Sequence, residues 1–202
     1  SLVWLRSASY LTPVLGTIGI IMIVTTGVWA SLEKDIKRLL AYSVLLETGF
    51  SLIMISFKSD QGLVLMYQSL IPRILSLVLL VYSLSILQNS GVALTNEGIR
   101  GVMHQYPFAS SGFLIALFTI SGFPLFASFP VRLELLHQLG LTSTSSVIWL
   151  VVGLTGFIYA VIRVFSSITY PLSENWHMLE NITQVIIICA IIIVLILSGL
   201  IP

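Results

Sequence analysis

Six long apolar stretches occupy most of the chain and leave it few ways to fold. They run approximately over residues 11–30, 36–57, 62–87, 109–136, 146–170 and 182–201, and short polar or proline- and glycine-bearing junctions separate them. A bilayer core takes about 20 apolar residues per helix, so each stretch is a candidate membrane span. Isoleucine, leucine and valine run on without period-2 alternation, which excludes a membrane barrel and leaves helices, whose backbone groups bond within the segment. The expected fold is all-α: a polytopic transmembrane helix bundle of about six spans, one or two of them broken by proline, forming a single membrane domain over 1–202. With 57% hydrophobic residues, 8% charged residues and a mean hydropathy of +1.06, an ordinary soluble domain is excluded. The formal net charge of +1 gives no footprint for a nucleic acid or an acidic soluble partner. Cys189 lies in an isoleucine- and valine-rich run and reads as a buried apolar side chain. The first residues lack the pattern of a secretory signal.

The junction after the first stretch is the densest polar segment. Glu33, Lys34, Asp35, Lys37 and Arg38 place five charges between two apolar runs. Arg100 and His104 follow the third run, whereas the opposite junctions hold only Lys58, with Arg6 before the first run. The positive-inside rule then puts the loops after runs one, three and five on the cytoplasmic or matrix side. Residues 88–107 are too polar to span and read as a surface loop, with an interfacial helical turn around 96–103.

Five charges fall inside the expected spans: Glu47, Arg73, Arg132, Glu134 and Arg163. A charge at the centre of a membrane helix costs about 2.5 to 3.5 kcal/mol on the insertion scale, so these side chains should face one another or a hydrated cavity. Glu47 lies one turn after Ser43, on the same helix face. Arg73 follows Pro72 directly, and Arg132 follows Pro130 by two positions. Proline removes a backbone bond and crowds the preceding turn, and the freed carbonyls can accept from water or a guanidinium. Pro72, Gly122, Pro124 and Pro130 are therefore read as helix-breaking, with the fourth run the most disrupted. Structural pairing or snorkelling is the competing reading for each charge, most of all for Glu134 and Arg163 near span ends.

Three segments resemble one family. Asp35 to Ser43, read as DIKRLLAYS, is similar to the junction opening the tenth helix of the antiporter-like, proton-translocating membrane subunits of respiratory complex I. Gly122-x-Pro124, with Phe129 and a charge at Arg132, resembles their broken twelfth helix, where the family carries lysine or glutamate. Ser69-Leu70-Ile71-Pro72-Arg73 falls where their eleventh helix carries a histidine and, four residues on, a lysine. The resemblance implies that the six spans are similar to helices nine to fourteen, the second of two inverted repeats plus the terminal helix. Trp149, the run Tyr159 to Arg163 and Phe129-Pro130-x-Arg132 look most like the subunit 2 branch, the bacterial N subunit. It further implies an integral protein of a mitochondrial inner or bacterial plasma membrane, partnered by other membrane-arm subunits and the bilayer, with a separate chain supplying the first repeat as one option. This chain is expected to be a non-catalytic subunit binding no cofactor or metal, with NADH, FMN, iron–sulfur clusters and quinone on partner subunits.

On this resemblance the proton path or gate comprises Lys37, Glu47, Ser69, Arg73, Arg132, Glu134 and His137. Lys37 stands at an aqueous mouth, Glu47 is a titratable relay, Arg132 an electrostatic gate and His137 an exit-side acceptor. The departures matter, because a buried lysine can release its proton near neutral pH whereas arginine stays protonated. Three readings follow: a half-channel of the complex, an assembly subunit with degenerate pumping, and a subunit of a sodium/proton antiporter or membrane-bound hydrogenase. His104 and His177 read as interface residues, and Trp4, Trp29, Trp149 and Trp176 as members of aromatic belts. Asn181-Ile182-Thr183 matches a glycosylation pattern on a side where it is not expected to be used.

Overall fold

The computed structural model describes residues 11–57, 60–171 and 179–200; the expectations for Trp4, Arg6, Lys58, Trp176 and His177 lie outside them. The described residues form α1 (Leu11–Leu32), α2 (Ile36–Ser56), α3 (Asp60–Asn89), a 3-10 turn (Val102–His104), α4 (Pro107–Ser121), α5 (Phe129–Thr142), α6 (Thr144–Ile168) and α7 (Ile182–Leu200). They contain no strand, and α1, α2, α3, α6 and α7 are long and apolar enough to cross a membrane. The 3-10 turn and the turn residues before it occupy the loop in which a helical turn is expected.

The fourth run is two helices instead of one span. Helix α4 ends at Gly122, whose φ of 70° is left-handed; its N–H donates to Thr119 O at 3.0 Å, and the Phe123 N–H donates to Phe118 O at 3.1 Å. This pair of bonds satisfies carbonyls that the helix end leaves open. Pro124 follows and cannot rejoin the ladder, and the backbone stays irregular until α5 opens at Phe129. Two readings of the prolines are corrected. Pro130 sits in the first turn of α5, where its missing N–H costs nothing and its fixed φ favours a helix, so it starts a helix instead of breaking one. Helix α3 runs through Pro72 without interruption. Only the bond to the Gln68 carbonyl is lost there, and packing against neighbouring helices carries the segment through.

In a membrane, helices associate by close packing instead of hydrophobic exclusion, so small residues mark their contacts. Helix α1 packs on α2 and α6, while α3 packs on α4, α2 and α7. At the α1–α6 crossing a Cβ built on Gly27 would lie 1.9 Å from the Gly153 carbonyl oxygen. No side chain fits there.

The junctions after α1, α3 and α6 meet at one end of the bundle. Asp35 and Thr95 form an isolated antiparallel bridge. The Ile36 N–H donates to Leu94 O and the Asn96 N–H to Lys34 O, both at 3.0 Å, and the Gly101 N–H donates to Ser167 O at 3.1 Å. Arg163 donates to Ser31 O at 2.7 Å and also to the Ala30 and Glu33 carbonyls, capping the end of α1. The Glu180 carboxylate accepts from the Phe108 and Ala109 N–H groups at 3.0 and 2.6 Å and caps the start of α4. At the same end the Asp35 and Lys34 backbone N–H groups hold the Glu33 carboxyl below the usual carboxylate range.

Candidate functional site

Helix α2 is opened by its N-cap, Asp35, whose carboxylate accepts from the Lys37 N–H at 2.8 Å. Its buried face then carries Leu39, Ser43, Glu47, Phe50 and Met54, a 3.6-residue stripe. The Ser43 hydroxyl donates to Leu39 O at 2.9 Å, so the buried polar stripe starts one turn before Glu47.

Arg132 meets this stripe from α5. Its Nη2 lies 2.5 Å from Glu47 Oε1, and only 5% of Arg132 and 7% of Glu47 is exposed. The Arg132 guanidinium carbon also sits 4.1 Å from the Phe50 ring centroid, a cation–π contact. The helix break makes this reach possible. A Cβ on Gly122 would stand 2.4 Å from Arg132 Cδ, so the position serves both the left-handed turn and the arginine's passage. Arg132 Nη1 is buried without a hydrogen-bond partner.

Around the pair lies a small cavity of about 20 Å³, lined by Glu47, Phe50, Met54, Ser69, Arg73, Ser76, Ser128, Val131 and Arg132. That is room for about one water molecule. Arg73 enters from α3, the helix that continues through Pro72. Its Nη1 donates to the Ser51 hydroxyl, and that hydroxyl donates to the Glu47 backbone carbonyl at 3.1 Å. Ser69 donates to Met66 O at 2.8 Å and borders the cavity. Ser128 donates to Thr119 O, tying the start of α5 to the end of α4.

Of the expected site residues, the structure brings Glu47, Ser69, Arg73 and Arg132 together. Lys37 is exposed at the N-terminal turn of α2 and outside the cluster. Glu134 and His137 face away from it: Glu134 Oε1 lies 3.9 Å from His137 Nδ1 and accepts from Gln138 at 2.7 Å, with 49% and 65% of the Glu134 and His137 side chains exposed. Glu134 borders a groove of about 710 Å³ between α3, α5 and α7, with Tyr67, Gln68 and Pro72. Phe50, Ser51 and Ser128 belong to the cluster without having been expected there. The first two follow Glu47 by three and four residues, the helical spacing that could have found them.

The chain matches, over residues 1–163, the family described as NADH:quinone oxidoreductase/Mrp antiporter, TM. It is 31% identical over 119 residues to the NADH-quinone oxidoreductase subunit N of Anaeromyxobacter sp. (strain Fw109-5), covering 57% of this chain and 22% of that protein. To the subunit N of Deinococcus radiodurans it is 26% identical over 176 residues, covering 84% of this chain and 35% of that one. It thus spans about a fifth to a third of these relatives. Among solved structures, respiratory complex I from Thermus thermophilus with bound aureothin contains a chain at TM-score 0.74 and 18% identity, with 94% of this chain and 44% of that one covered. The Mrp complex from Dietzia sp. DQ12-45-1b contains another at 0.85 and 12%, with 95% and 45% covered. At these identities both show a shared fold. The apolar helices, the break before Arg132 and the family match together make this an integral membrane protein belonging to the NADH:quinone oxidoreductase/Mrp antiporter transmembrane family.

Proposed function

We propose that this chain is part of a membrane-arm subunit of an NADH:quinone oxidoreductase of the complex I type, where it contributes a proton-translocation half-channel or its coupling. The observation that carries this is the Glu47–Arg132 pair, buried inside an apolar bundle at a helix break. A buried ion pair is seldom worth its desolvation cost for stability alone, and a charge at membrane depth by default marks a functional path. The curated relatives named as subunit N support the same reading. In it, Glu47 holds and releases the proton, Arg132 sets the field at that carboxylate, and Ser69 and Ser76 supply hydroxyls to the small cavity. Redox chemistry belongs to other subunits, and further membrane subunits are the partners. The test is Arg132→Ala in the assembled complex: protons moved per electron should fall while assembly persists, and an unchanged ratio would sink the reading.

One observation favours a second reading. Both cations in the cluster are arginines, which do not release protons near neutral pH. If the chain only supports assembly, Arg132→Ala will change the amount of complex and leave the ratio of the assembled remainder untouched.

A further inference from the structure

Two guanidinium groups and one carboxylate line the 20 Å³ cavity. Glu47 is bonded to Arg132, whereas Arg73 has no carboxylate within salt-bridge distance among the described residues. Arg73 is nevertheless held on the turn of α2 that Glu47 occupies. Ser51, which receives its Nη1, itself donates to the Glu47 carbonyl. Each arginine also has a neutral partner to fall back on: the Ser51 hydroxyl for Arg73 and the Phe50 ring, 4.1 Å away, for Arg132.

We infer that Glu47 is a counter-ion shared by the two arginines, its carboxylate turning through the cavity from Arg132 to Arg73 and back. Arg73 is then a positioning residue, acting through Glu47. In the arrangement described, the uncompensated positive charge rests on Arg73, on α3. After the turn it rests on Arg132, on α5. Charge crosses between two helices with no arginine losing a proton, and this meets the difficulty that both cations here are non-titrating. Its use in coupling rests on the half-channel reading above; the sharing itself does not.

The experiment is isotope-edited infrared spectroscopy of the glutamate side chains in the native membrane complex, with Glu47→Gln subtracted to isolate the Glu47 bands. Sharing predicts that Arg132→Gln leaves Glu47 an ionised, arginine-paired carboxylate, and that adding Arg73→Gln converts it to the protonated form. A protonated Glu47 in Arg132→Gln alone would overturn the inference. Should Arg132→Gln not assemble, Arg73→Gln alone decides. Sharing predicts loss of one carboxylate environment, and a Glu47 spectrum identical to that of the unaltered chain would overturn it. Proton pumping is not read in either arm, so this test and that of the half-channel fail separately.

Discussion

A carboxylate and a guanidinium taken out of water each lose hydration, and their mutual attraction offsets this only while both are present. Glu47 and Arg132 are in that position, with at most 7% of either residue exposed. Glu47→Gln should therefore lower stability by about 3 to 5 kcal/mol, the cost of leaving one buried charge uncompensated. Replacing both residues by leucine should cost less than either single change, as thermal denaturation of the purified protein would show. The two charges stood out in the sequence because they interrupt apolar runs. Their pairing did not, since 85 positions separate them and no local spacing encodes a contact between α2 and α5. Glu134 was more legible than its grouping with Arg132 suggested. Two residues at about 100° each place it on the opposite side of α5, toward the groove and His137.

At the level of the element, the contrast between Pro124 and Pro72 shows what breaks a helix in this chain. Both follow long apolar runs, and only Pro124 has a glycine two positions earlier to take the left-handed turn that ends the ladder. The Gly122-x-Pro124 motif was legible as a break and the backbone obeys it, whereas Pro72 and Pro130, also read as breaking, have no glycine before them and interrupt nothing. Gly122→Ala would force a Cβ into the left-handed region, at about 1 to 2 kcal/mol, and against Arg132 Cδ. The expected result is a less stable protein whose Glu47–Arg132 pair is displaced. Stability of Gly122→Ala equal to that of the unaltered chain would show that the turn tolerates a side chain.

Across the whole molecule, five of the six apolar runs were readable as single helices because each is long enough to satisfy its own backbone across a bilayer, whereas the fourth is two shorter helices. Which helices touch was not readable: Gly27 and Gly153 are unremarkable glycines in sequence and meet only in the fold. The charge count placed the odd-numbered junctions on one side of the membrane, and the structure gathers them at one end, with Ser143 between α5 and α6 at another junction. Cysteines introduced at Lys34 and Asn96 should thus react with an impermeant reagent from the same side, and one at Thr142 from the other; labelling of all three from one side would contradict this arrangement. The bonds joining Lys34 to Asn96, Gly101 to Ser167 and Arg163 to the end of α1 have a consequence for biogenesis. They close only if the junctions they join end on the same face of the bilayer. A chain that skips one insertion strands a junction on the wrong face and leaves those donors and acceptors open, so the stitched end can form only in a chain whose junctions share one side.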